Sequence, residues 1–222
     1  MSTIAGANLY LCTSAMGGLS PLLEFVEQCI KGGVDIVQLR DKDITDDEII
    51  RYGRQLSDLC HEYKVPFILN DRPDLVAETL ADGLHVGQDD MSVAECRKII
   101  GDKMILGLST HQESELVEAS GKEINYLSVG PVVPTPTKPG RPGTGLDYVR
   151  FSAEKIGNSI PFFITGGVSP DTIPELYENG ARRFVVVRYL TQSDAPQKNA
   201  RLLKDAIKRA QEIDEELKLD SA

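Results

Sequence analysis

Cysteine is scarce in this chain and carries no pattern. The four thiols, Cys12, Cys29, Cys60 and Cys96, share no CxxC spacing. This excludes a zinc ribbon or a disulfide framework and leaves reduced, structural thiols suited to the cytoplasm. Histidine is rarer still: His61, His85 and His111 make no HxxxH pair. Basic residues are outnumbered, 24 Lys and Arg against 34 Asp and Glu, for a net charge of −10. A surface of that sign excludes nucleic acid as a general partner. No apolar run approaches bilayer length and no secretory signal pattern opens the chain, so neither membrane nor export is expected. Linker-like, repeated or low-complexity tracts are also missing, and residues 1–222 are read as one domain.

What is present is an alternation of short apolar runs with helical patterns. The runs are Asn8–Cys12, Asp35–Leu39, Phe67–Leu69, Leu84–Val86, Met104–Leu108, Tyr126–Val129, Pro161–Ile164 and Phe184–Val187. Helical spacing falls between them, for example Pro21–Ile30 closed by Gly32-Gly33, and the acidic-capped segment from Thr45. Eight strand–helix units at this spacing predict an α/β fold of the (β/α)8 barrel type, a TIM barrel. A doubly wound open sheet is the competitor, but its Gly-rich fingerprint is missing after the first strand, where the chain reads TSAMGG.

Barrel closure places the carboxyl ends of all strands on one rim, where such folds keep their chemistry. That rim is polar, collecting Thr13, Arg40, Lys42, Asn70, Asp71, Gln88, Asp90, Ser109, Thr135, Thr137, Lys138 and Arg188. Asp71 and Asp90 end consecutive strands. They fit either a hard cation such as Mg²⁺ or two helix N-caps. Gly166-Gly167, before a helix start expected at Ser169-Pro170, would let backbone N–H groups approach an anion. The loop 131–145, rich in Pro, Gly and Thr, is long enough for a lid. No Ser-His-Asp or Cys-His set is evident. His85 is expected to pack on the face of its strand opposite Leu84 and Val86, and the tyrosines to serve as ordinary packing.

Six motifs then occur in one order: QLRDK at 38–42, FILND at 67–71, DGLHVGQDD at 82–90, LSTH at 108–111, VGPVVPTPTK at 129–138 and TGG at 165–167. In these the chain resembles the thiamine-phosphate synthases along nearly its whole length. The resemblance implies a (β/α)8 transferase that joins a pyrimidine methyl diphosphate to a thiazole phosphate, or its carboxylated form, and releases pyrophosphate. It implies Mg²⁺ on Asp71 and Asp90. Gln38, Leu39, Arg40, Asp41, Lys42, Asn70, Ser109 and Lys138 would hold the pyrimidine and its diphosphate, with Arg40, Lys42 and Lys138 assisting catalysis. Thr135, Pro136, Thr137, Gly167, Val187 and Arg188 would hold the thiazole phosphate. The partners are then small molecules, and assembly into a homo-oligomer is compatible with this. One departure stands out: many members place a serine where this chain has Arg188. The rivals weighed against this reading are a thiazole tautomerase, a sugar-phosphate epimerase and a non-catalytic ligand sensor. None of them calls for paired aspartates together with QLRDK and TPTK.

Overall fold

The computed structural model describes residues 4–135, 140, 142–157 and 159–220. Eight strands form a closed barrel in sequence order: β1 Leu9–Thr13, β2 Ile36–Leu39, β3 Phe67–Asn70, β4 Gly83–Val86, β5 Ile105–Thr110, β6 Tyr126–Val129, β7 Phe162–Ile164 and β8 Phe184–Val186. All neighbours pair in parallel. β8 closes onto β1 through Leu9 with Phe184 and Tyr10 with Val185. The helices are α1 Leu19–Gly32, α2 Asp46–Glu62, α3 Val76–Thr79, α4 Val93–Ile100, α5 Glu113–Ala119, α6 Gly145–Ile156, α7 Ile173–Glu178, α8 Arg188–Thr191 and α9 Pro196–Asp220. None of them is long and apolar enough to cross a membrane.

Because side chains alternate along a strand, the barrel has two cores. Leu9, Leu11, Val37, Leu39, Leu84, Val86, Leu127 and Val129 point outward into the layer shared with the helices. Tyr10, Ile36, Ile68, Tyr126 and Phe163 point inward and fill the barrel centre. At Gly107 the Tyr126 ring occupies the space a Cβ would need, its nearest atom only 2.1 Å away. Here glycine on one strand makes room for a large side chain on the next.

The amino-terminal rim is tied by a repeated device. The residue just before each of three alternate strands accepts the first or second amide of the strand preceding it. Asp35 accepts from Leu9 at 2.9 Å, Asp82 from Phe67 at 2.8 Å and Asn125 from Leu106 at 2.8 Å. Each acceptor also meets a second group: Lys204, His61 and Arg97 respectively.

The third helix is short, a 3-10 turn followed by a single α turn that ends where Leu80 turns left-handed at φ 57°. Two elements differ from the sequence expectation. The seventh helix starts at Ile173, since Ser169–Thr172 form a turn in which the Thr172 hydroxyl accepts from the Ser169 amide. A short helix, α8, follows β8 directly and makes nine helices among the described residues where eight were expected.

Candidate active site

A cavity of about 350 Å³ opens at the carboxyl ends of the strands. Its floor is made by the inward-facing Tyr10, Gln38, His85 and Ser109. Arg40 and Asn70 stand on one side, and Gly166, Gly167, Val185, Val187 and Arg188 on the other. Thr135 reaches it from the loop after β6. It combines a polar floor with an apolar flank, the usual character of a site for small molecules.

Gln38, Arg40, Asn70, Ser109, Thr135, Gly167, Val187 and Arg188 are therefore gathered around one space, although they come from widely separated parts of the chain. Three of the expected contact residues among the described ones, Leu39, Asp41 and Lys42, do not line it. Leu39 lies in the outer core, because it is one residue out of phase with Gln38 and Arg40. Asp41 shapes the turn after β2, its carboxylate accepting from the Ala15 and Asp43 amides at 2.9 Å each. Pro136, Thr137 and Lys138 lie outside the described residues.

Beside the cavity, Lys42 Nζ reaches the Asp71 carboxylate at 3.1 Å. Asp71 and Asp90 come within hydrogen-bonding reach of each other. Burial, then the neighbouring Asp90, pushes the Asp71 carboxyl above its ordinary range, while Lys42 opposes the shift. Asp71 sits in the left-handed region at φ 61°, a conformation that aspartate tolerates better than most residues. Neither carboxylate caps a helix: α4 is capped by Ser92 with Glu95, and Asp90 accepts from the Gly87 amide at 2.7 Å. The helix-cap alternative is thereby removed.

Two acids facing each other in this way suit a cation. The described residues contain no group of three or more His, Cys, Asp and Glu side chains arranged for a metal. Mg²⁺ needs fewer protein ligands: one or two carboxylates with waters and phosphate oxygens complete its shell. The donor set at Asp71 and Asp90 fits that pattern.

Gly166 and Gly167 both lie in the left-handed region, at φ 87° and 78°. A Cβ on the first would stand 2.6 Å from Pro131, and on the second 2.5 Å from Val133. These glycines bring the backbone after β7 against the loop that follows β6. The adjoining α8 starts at Arg188, and loops after the seventh and eighth strands with a short extra helix are a common phosphate-binding arrangement of barrels. Arg188 adds a positive charge to that flank.

Sequence reasoning missed Tyr10 and His85 as lining residues of the cavity, and Tyr126 as the hydrogen-bond partner of both. His85 does face away from Leu84 and Val86, as expected, but that face is the cavity floor. Strand parity was the available signal. His85 is paired with Asn70 across β3 and β4, and Asn70 was already assigned to the site.

Comparison with known proteins agrees with this geometry. A family model described as thiamine monophosphate synthase matches residues 9–190. A thiamine-phosphate synthase of Mycolicibacterium vanbaalenii is 42% identical over 201 residues, covering 86% of this chain and 89% of the relative. That of Thermus thermophilus is 41% identical over 201 residues, covering 90% and 96%. Among solved structures, a thiamine phosphate pyrophosphorylase from Pyrococcus furiosus superimposes with a TM-score of 0.82 at 27% identity, covering 92% of this chain and 96% of that one. Barrel, rim and relatives agree, and the chain belongs to the thiamine monophosphate synthase family.

Proposed function

We propose that this enzyme condenses 4-amino-2-methyl-5-(diphosphooxymethyl)pyrimidine with 4-methyl-5-(2-phosphooxyethyl)thiazole to thiamine phosphate and pyrophosphate, in the cytoplasm and with Mg²⁺. The observation that carries this reading is the pair Asp71 and Asp90, with Lys42 against them, beside a cavity flanked by Arg40 and Arg188. Residues 1–222 are read as one catalytic barrel.

Mg²⁺ held by Asp71 and Asp90 would neutralise charge on the diphosphate. Arg40 and Lys42 stabilise the charge that grows as pyrophosphate departs, joined by Lys138, which is assigned from its motif alone. Gln38, Asn70 and Ser109 orient the pyrimidine, whose amino group spreads the positive charge left on the exocyclic methylene. Val185 and Val187 give the thiazole ring an apolar wall. The Gly166-Gly167 backbone and Arg188 take its phosphate. Once the carbon–oxygen bond has broken and pyrophosphate has taken its electron pair, the thiazole nitrogen, held at close range, traps the methylene cation. A protein nucleophile is not required.

The test is pyrophosphate release from the pyrimidine diphosphate, with and without thiazole phosphate, in Mg²⁺ and then in EDTA. Release that requires both the thiazole and the metal, in step with thiamine phosphate, is the expected result. Ligand binding without turnover would replace the enzyme by a sensor.

A further inference from the structure

Arg72 follows Asp71 directly and gives its donors to two other carboxylates. Its Nε and Nη2 donate to the Asp74 carboxylate at 3.0 and 2.7 Å. Nη2 also donates to Asp46 Oδ2 at 2.8 Å, and Nη1 to Asp46 Oδ1. One guanidinium thus forks onto two carboxylates along two of its edges, a geometry that fixes direction as well as distance. Hydrogen bonds from Arg72 hold both carboxyls below their ordinary range, so both are charged at neutral pH. A single positive charge set between two negative ones leaves none to offer a diphosphate.

The partners give this contact its place. Asp46 is the first residue of α2, directly after the Thr45 cap, and the loop before that cap carries Lys42. Asp74 lies in the 3-10 turn that follows β3. Arg72 therefore joins the loop after β2 to the loop after β3, at the rim where Lys42 of one meets Asp71 of the other at 3.1 Å. Asp71 needs holding, because its left-handed backbone is a state that surrounding contacts must maintain. On one side its amide donates to the His85 carbonyl of β4 at 2.9 Å; Arg72 supplies the other side. Farther along, α2 is fastened to the same segment a second time. Arg54 Nε donates to the Glu78 carbonyl at 2.8 Å, and the Ser57 hydroxyl to the Leu80 carbonyl at 2.7 Å.

We infer that Arg72 is a positioning residue: it clamps the two loops so that Lys42 and Asp71 face one ligand together, and it touches neither metal nor diphosphate itself. The assignment deepens the function proposed above and rests on it. Arg54 and Ser57 keep α2 seated whether or not Arg72 is present, so the clamp acts on the spacing of the rim and not on the fold. Charge alone predicts the opposite of a clamp. Removing a cation near the two aspartates would tighten the binding of a metal ion there, whereas releasing the loops weakens it.

The test is the binding of Mn²⁺, as a stand-in for Mg²⁺, to the substrate-free protein, followed by electron paramagnetic resonance. The set is wild type, Arg72→Gln, Asp46→Asn and the double variant. Arg72→Gln should weaken Mn²⁺ binding on the order of tenfold. Asp46→Asn should weaken it too, and the double variant should be no worse than Arg72→Gln, because both substitutions open the same contact. Across the set kcat/KM should follow the same order, and the thermal midpoint should stay near wild type. Unchanged or tighter Mn²⁺ binding in Arg72→Gln would overturn the proposal. So would turnover lost in Arg72→Gln but intact in Asp46→Asn, which puts Arg72 on the substrate. A wild type that binds no Mn²⁺ overturns it as well. A wild type that binds Mn²⁺ but forms no thiamine phosphate refutes the proposed function and leaves Mn²⁺ affinity to judge the clamp.

Discussion

The two rims of the barrel use the same residue types for opposite ends. At the amino-terminal rim, Asp35 accepts two backbone amides and meets Lys204, while Asp82 accepts one amide and meets His61. At the carboxyl-terminal rim, Asp71 faces Asp90 and draws partial compensation from the half-exposed Lys42. A carboxylate satisfied by strand amides serves the fold. A carboxylate set against another carboxylate costs stability until something positive arrives, the cost that the proposed function would turn to use.

The largest expected effect breaks the upper rim. Asp71→Asn, which tolerates the same backbone conformation, should lower kcat/KM roughly 10²- to 10³-fold by steady-state assay. Its thermal midpoint should not fall, because one of two repelling charges is gone. The lower rim should respond in the reverse way. Asp35→Ala leaves two amides without their acceptor and the Lys204 ammonium with Asn8 alone, and should cost about 1–3 kcal/mol in denaturant unfolding. Activity per folded molecule should stay near wild type.

Mg²⁺ sharpens the contrast. Added in 10- to 100-fold excess over its dissociation constant, it should stabilise the wild type by ~1–3 kcal/mol in thermal unfolding. EDTA should reverse this, and Asp71→Asn should abolish it. The smallest effect is the pH dependence of the metal-free protein. The Asp71 carboxyl lies above its ordinary value of 3.8 in the folded state, so the native form binds more protons than the unfolded form there. Stability from this group is present below that ordinary value and is lost as pH rises through the raised one. Chemical unfolding across the acid range should show that downward contribution in wild type and lose it in Asp71→Asn.

Much of the upper rim was legible before any coordinates. Arg40, Asn70, Asp71, Asp90 and Ser109 each stand where an apolar run stops, and a parallel barrel brings such stops together. Leu39 was drawn in with its motif neighbours, yet strand alternation turns it into the outer core. Tyr10, His85 and Tyr126 were passed over for the complementary reason: a polar side chain inside an apolar run looks like packing until the opposite wall of the barrel supplies its partner. The short α8 was also missed, since one helical turn has no periodicity to detect.

By itself, then, the sequence determined the eightfold alternation, the order of the strands and the chemistry collected at their ends. Those follow from local periodicity and from polar residues that interrupt it. Only the tertiary structure decided which acids face each other, which glycines must remain bare and how the floor's hydrogen bonds run. These depend on residues that barrel closure brings together. Tyr10 and Tyr126 lie far apart in the chain, and their hydroxyls meet at 2.9 Å.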